Sequence, residues 1–146
     1  MNVLFLSSWY PTEKNPNFGV FVKEHARSIQ QVGNLIVVIA LILRKNKKIF
    51  HFKKNDFSDE NGVRTITLEI ESVFKDFFYY LPAFQYIFIK RAAKQLIKSG
   101  FRPQLIHSNV VFSAGIMGNR LAHQYHLPHV ITEHWSRIAG ILEKPI

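Results

Sequence analysis

The sequence predicts an α/β fold, a Rossmann-like parallel sheet with helices on both faces, and three observations carry that prediction. The chain opens with an apolar run at residues 3–6, then a polar loop with prolines, then a helix-periodic stretch from Gly19. A strand–loop–helix of this kind is the first unit of a parallel sheet. Residues 35–43 form a wholly apolar run rich in β-branched side chains, as expected of a strand buried on both faces. Two further short apolar runs, 105–107 and 129–132, alternate with helical patterns. In such sheets ligands bind beyond the carboxyl ends of the strands, so function is expected at the 7–18 loop and at the ends of the later strands.

Each element has its own reason. Ser7, Ser8 and Pro11 stop the first strand, and residues 14–17 are loop chemistry. The first helix is predicted over 19–31, with Phe18, Val22, Ala26 and Ile29 as its buried stripe, Lys23, Glu24 and Arg27 off it, and Gly33 as its stop. The β-α-β unit over 3–43 should cross over right-handed. Residues 44–48 are a basic turn. Residues 49–53 and 63–71 alternate apolar and polar around Asn61-Gly62 and read as a pair of exposed, edge-type strands.

Phe77, Phe78, Tyr79 and Tyr80 precede Pro82, which suits the first position of a helix over 82–99. Its wheel has a broad apolar arc and a narrower basic arc of Lys90, Arg91, Lys94 and Lys98. Two readings follow: a sheet-packed helix with its lysines in water, or a basic amphipathic face in peripheral contact with anionic membrane. After the strand at 105–107, Ser108 or Asn109 is expected to cap the next helix. Gly115, Gly118 and Ala122 fall on one side of it, allowing close approach to a sheet or a ligand. Leu127-Pro128 ends that helix, 129–132 is a strand, Glu133 and His134 follow at its carboxyl end, and 137–146 reads as the start of another helix. The strand at 3–6 should lie between those at 35–41 and 105–107.

Composition narrows the function classes. The 146 residues are 47% hydrophobic and 20% charged, enough for one domain with a real core. There is no cysteine, so disulfide scaffolds and thiolate metal sites are excluded. That fits a reducing, cytoplasmic setting, and no signal peptide or run long enough to span a bilayer is visible. The net charge of +9 attracts phosphates, whether of nucleic acid, lipid headgroup or nucleotide. No nucleic-acid-binding motif accompanies it.

Neither a G-x-G-x-x-G nor a P-loop follows the first strand, which argues against a standard dinucleotide site and a P-loop NTPase. Gly19 stands at a helix N-terminus, where free N–H groups suit a phosphate, or it simply starts the helix. His123, His126 and His129 have a metal-like spacing, but no carboxylate joins them, and imidazoles ending a helix are stabilised by its dipole. No metal site is expected. His107 and His134 end apolar strands and should open on the same edge as the 7–18 loop, where imidazole can bond substrate hydroxyls or act as acid or base.

Three stretches together resemble the N-terminal half of a retaining glycosyltransferase of family 4, also called group 1. They are Val3-Leu4-Phe5-Leu6 with Trp9-Tyr10-Pro11 and the Asn17-Phe18-Gly19 loop into the following helix; Leu105-Ile106-His107-Ser108 with Ala114-Gly115; and Leu127-Pro128-His129-Val130-Ile131-Thr132-Glu133-His134. The resemblance implies the GT-B architecture, two Rossmann-like domains across a cleft, of which residues 1–146 would be the acceptor-side one. It implies that Asn17, Phe18 and Gly19 approach the donor diphosphate, and that His134 is the catalytic residue near the transferred sugar. Trp9, Tyr10, His107, Asn109 and Glu133 would form the acceptor and sugar rim. A nucleotide-sugar donor and a glycan or lipid-linked acceptor are the implied partners, with no cofactor and no catalytic metal.

The chain departs from the family in length and in glycines. Members are much longer, and their C-terminal domain, with a Lys/Arg pair for the diphosphate and a glutamate pair, is not in this sequence; many carry two glycines where this loop has Gly19 alone. The expectation is an isolated N-terminal domain, inactive by itself. The competing readings are a non-catalytic basic module for anionic membrane or polysaccharide precursor, and, on charge alone, a nucleic-acid-binding α/β protein.

Overall fold

The computed structural model describes residues 1–134. In chain order these form β1 (Asn2–Ser7), α1 (Val20–Gln31), β2 (Leu35–Lys45), β3 (His51–Ser58), β4 (Arg64–Ser72), α2 (Lys75–Tyr79), α3 (Pro82–Lys98), β5 (Leu105–Asn109), α4 (Ile116–Tyr125) and β6 (His129–Thr132). The six strands make one sheet in the order β3-β4-β2-β1-β5-β6. All neighbours are parallel except β3, which runs antiparallel to β4. The expected placement of β1 between β2 and β5 is what the structure shows. The helix expected over 137–146 lies outside the described residues.

Two cores sandwich the sheet. On one face Leu4, Leu6, Val37, Ile39, Leu41 and Ile106 pack under α3 and α4. On the other, Val3, Phe5, Ile36, Val38 and Ala40 pack under α1 through Val22 and Ala26. Fully burying an aliphatic side chain of this size stabilises by about 1.5–3 kcal/mol, so the sheet is pinned from both sides. Of the stripe expected on α1, Val22 and Ala26 are buried and Ile29 is half-buried, while Phe18 is exposed and lies before the helix.

β4 corrects the expectation for residues 63–71. It pairs with β3 but is itself a buried strand parallel to β2, and of the two only β3 lies at an edge of the sheet. Its alternating Thr65, Thr67, Glu69 and Glu71 look like a solvent face in sequence. The 8–18 loop folds over that face instead. The Tyr10 hydroxyl lies 3.3 Å from Thr65 Oγ1, Lys14 pairs with Glu71, and the Arg44 guanidinium is 3.7 Å from Glu69. Asn55 Nδ2 donates to Thr67 Oγ1 at 2.9 Å. Buried polar groups must find partners, and here the loop supplies them for Thr65 and Glu71 while Asn55 of β3 and Arg44 of β2 supply them for Thr67 and Glu69.

The sheet has a stepped rim. Ser7 at the end of β1 pairs with Ala40, yet β2 continues to Lys45, paired with β4 as far as Ser72. At the β5 end the rim closes with a sharp turn. Ser108 and Asn109 belong to β5 and do not cap the next helix. The chain passes through Val110 (φ 73°) and an irregular turn, 111–115, before α4 begins at Ile116. A positive φ at a β-branched residue is costly, and it is over-determined here. Val110 N–H donates to the Thr132 carbonyl at 2.8 Å, and Val111 N–H donates to Glu133 Oε2 at 2.8 Å.

Gly118 lets α4 approach the sheet, as the small-residue spacing predicts. A Cβ there would meet Ser108 Oγ at 2.1 Å and His129 Nε2 at 2.7 Å. Ser108 and His129 bond each other at 2.9 Å, so His129 serves a strand-to-strand contact. Among the described residues no group of three His, Cys, Asp or Glu side chains could hold a metal ion. No described helix is long and apolar enough to cross a membrane.

Candidate functional site

The site grows from the alternation of β5. Leu105, His107 and Asn109 point to the α1 face, whereas Ile106 and Ser108 point to the α3–α4 face. From α1, Phe21 and His25 are one turn apart and descend on the same strip. From the end of β6 come Thr132 and His134. These elements bring three imidazoles together. The His25 and His107 ring centroids are 5.1 Å apart, and those of His25 and His134 are 6.0 Å apart. The Phe5 ring floors the group, 5.7 Å from His25 and 5.1 Å from His107. The Phe21 ring meets His134 at 4.8 Å, edge to face.

Asn109 ties the group together. Its side chain is fully buried. Its Oδ1 lies 2.9 Å from His134 Nε2 and 3.3 Å from His25 Nδ1. One carbonyl oxygen has two lone pairs, so both contacts are satisfied when each imidazole carries its proton on the facing nitrogen. The Asn109 Nδ2, equally buried, has no hydrogen-bond partner. A buried amide donor without a partner is costly, and this one lies beside His134.

Burial sets the protonation. His107, deepest in the cluster and 7% exposed, bonds Thr132 Oγ1 at 2.8 Å. Desolvation pushes its imidazole down to about 4, with smaller contributions from His25, His129 and His134. His134 is also pushed down, first by desolvation and then by His25, against an upward pull from Glu133. Both are therefore neutral near neutral pH and act as hydrogen-bonding groups rather than charges.

Gly19 holds the other half of the site. It has φ +73°, and a Cβ on it would lie 2.6 Å from the Trp9 carbonyl carbon and 2.7 Å from the Tyr10 nitrogen. The glycine is thus required by the fold of the 8–18 loop itself. α1 starts immediately after it, with neither a side-chain cap nor an acidic residue in its first turn. Trp9 links this loop to the histidines: its ring is 6.2 Å from Phe18 and 6.1 Å from Phe21. A cleft of about 240 Å³ opens on the far side of Trp9, lined also by Ser8, Phe18, Lys75, Tyr79 and Ser113. Larger recesses of about 390 and 500 Å³ lie over β3 and β4, beneath Pro11, Thr12 and Glu13, apart from the imidazoles.

The structure brings together His134, Asn109, His107 and, through Phe21, the Trp9–Gly19 loop. Asn17 and Phe18 are exposed beside it. Glu133 accepts from the backbone of Val111 and His134, bracing the turn after β5. Two expectations need correction. Tyr10 is not on the rim: it is 3% exposed in the α1-face core, and burial pushes its phenol up to about 12. His107 does not open on the rim either; it lies beneath it, because the β5 pleat turns it under α1. His25 is the residue that sequence reading missed. Its one signal is the Phe21–His25 spacing, which repeats on the helix face that meets β5. Lys90, Arg91, Lys94 and Lys98 are exposed on α3, away from this cluster.

Neither a family model nor a curated protein matches the sequence. The fold, however, is similar to solved structures. Sucrose-phosphate synthase from Thermosynechococcus elongatus superposes with a TM-score of 0.62 at 15% identity, covering 99% of this chain and 36% of that one. The catalytic domain of starch synthase IV from Arabidopsis thaliana, bound to ADP and acarbose, gives 0.57 at 17% identity, covering 92% and 34%. The chain therefore spans about a third of the length of these neighbours, and it shares its Rossmann-like fold with glycosyltransferases of the GT-B class.

Proposed function

We propose that this chain is the N-terminal, acceptor-side half of a GT-B glycosyltransferase. It moves a sugar from a nucleotide-sugar donor to a glycan or lipid-linked acceptor, with retention, and works with a second Rossmann-like domain that holds most of the nucleotide. The observation that carries this reading is the Asn109 carboxamide. It orients His134 at the carboxyl rim and leaves a buried N–H unpartnered beside it. With Nε2 engaged by Asn109, the exposed His134 ring has Nδ1 left to accept from a sugar hydroxyl.

The geometry supports one role for each group. His134, neutral and held through Nε2, offers Nδ1 to a hydroxyl of the transferred sugar. The α1 N-terminus after Gly19, uncapped and free of acidic residues in its first turn, faces the leaving diphosphate with its free N–H groups. One fold neighbour binds ADP, which is a nucleoside diphosphate of the kind such a transfer releases. Trp9, Phe18 and Tyr79 around the 240 Å³ cleft give an acceptor flat apolar faces to stack on. The chemistry is then positioning and electrostatic stabilisation of an oxocarbenium-like centre.

The test is sugar transfer by the chain joined to its second domain. His134→Ala should lower turnover by about tenfold or more, with folding retained because an exposed rim side chain supports little packing. This chain alone should not transfer sugar. Wild-type turnover in His134→Ala, or transfer by the isolated chain, would overturn the assignment.

A further inference from the structure

We infer that the projecting tip formed by residues 45–50 and 73–80 is a docking surface for an anionic lipid bilayer. The overrun of β2 and β4 past β1 creates this tip. The turn after β2 lies directly against the segment after β4, with Asn46 N–H donating to the Ser72 carbonyl at 3.2 Å and Val73 N–H to the Lys48 carbonyl at 2.8 Å. The apolar side chains it presents face outward: Ile49 is 74% exposed, Tyr80 71%, Phe77 63% and Phe74 54%.

These rings cannot turn inward, because the space beneath them is already filled. Phe78 stacks on Phe84 at 4.5 Å, Phe50 packs 6.0 and 6.2 Å from those two rings, and Tyr79 leans on Phe112 at 4.9 Å. The two segments carry four lysines, Lys45, Lys47, Lys48 and Lys75, against one acid, Asp76. Rigid aromatic rings amid lysines are the chemistry of a membrane interface, the rings sitting at headgroup level and the ammonium groups meeting lipid phosphates. A two-fold contact with a second copy would set these lysines against their own like charges.

The surface differs from the basic arc of α3. Lys90, Arg91, Lys94 and Lys98 run along that helix away from the tip, with Ile87 the one large exposed apolar side chain on it. They add charge beside the bilayer but insert little into it. Lys75 and Tyr79 belong both to the tip and to the wall of the 240 Å³ cleft, so a docked bilayer lies at the cleft mouth. Vesicle binding is read without turnover, so it stands or falls separately from the sugar-transfer reading.

The experiment is co-sedimentation of the 146-residue chain with phosphatidylcholine vesicles, with and without phosphatidylglycerol, at low and high salt. Binding should require the anionic lipid and weaken with salt. Combined Phe74→Ser, Phe77→Ser and Tyr80→Ser should cut binding by about tenfold or more with an unchanged circular dichroism spectrum. Lys47→Gln and Lys48→Gln should each cut it about fivefold, and Lys94→Gln with Lys98→Gln should cut it less than either. Equal binding to neutral vesicles, no binding to either, a loss seen only with the α3 variants, or a dimer that the tip variants dissolve would overturn the proposal.

Discussion

At the ends of β5 and β6 the rim is built of imidazoles and a carboxamide that bond one another under Phe21. At the ends of β2 and β4 it is built of exposed rings and lysines. Both belong to the same edge of one parallel sheet. The difference comes from strand length and cover. β5 stops at Asn109, level with Ser7 of β1, so α1 still overhangs its last residues and His25 meets their polar side chains. β2 and β4 run past the end of β1, and the segments that follow them pack on one another and carry the exposed side chains of the tip. On the proposed reading, one half of the rim takes a small polar ligand and the other meets a large surface.

The largest effect expected to break this contrast is at Asn109. Asn109→Leu keeps the size of the side chain but removes the shared acceptor, so turnover of the two-domain enzyme should drop as far as in His134→Ala, by about tenfold or more. A tip substitution such as Phe77→Ser should leave kcat for a soluble acceptor unchanged. Steady-state kinetics with both variants tests the two together.

Gly19→Ala should destabilise by about 2–4 kcal/mol in urea unfolding, combining the left-handed backbone with a Cβ against the Trp9 and Tyr10 backbone. The family resemblance implies only that Gly19 approaches a diphosphate. The structure shows why a glycine is required here, since the loop cannot close over β4 with a Cβ at this position.

The histidine half should also be the acid-sensitive half. His107 takes up a proton near pH 4 in the folded chain but near its ordinary value of 6.5 when unfolded. The unfolded state therefore binds more protons between these values. The stability due to this burial is complete above about pH 6.5 and is lost as the pH falls toward 4, on the order of 2–3 kcal/mol. His129 and His134, both pushed down by desolvation, add in the same direction. Urea midpoints measured at about pH 7 and pH 5 should show the loss, and His107→Phe should flatten it. The smallest effect belongs to the tip: Phe77→Ser should change stability by no more than about 0.5 kcal/mol at either pH.

Much of the fold was legible in the sequence. The apolar runs that became β1, β2 and β5 are buried on both faces, and such strands advertise themselves by continuous hydrophobicity, whereas 129–132, expected to be buried too, is the edge strand β6 with Val130 47% and Ile131 42% exposed. β4 was hidden because its polar alternation is satisfied by loop residues distant in sequence, Tyr10 and Lys14, which no local pattern reports. Within the site, His134 was found because it follows a strand end. His25 was not, since nothing in a helix marks which polar side chain will meet a strand eighty residues away. Asn109 was expected on the acceptor and sugar rim and also as a candidate cap of the next helix, and the capping role failed because a polar residue after an apolar run looks the same whether the strand has ended or not.

On the proposed reading, Asn109 acts by holding His134 against the sugar. A double-mutant cycle on the two-domain enzyme tests it most directly, with Asn109→Ala, His134→Ala and the pair compared by turnover and by circular dichroism. If the two residues act as one unit, the double variant should be no slower than His134→Ala alone, as coupled catalytic groups behave. Losses that simply multiply, or an Asn109→Ala enzyme with wild-type turnover, would contradict the account.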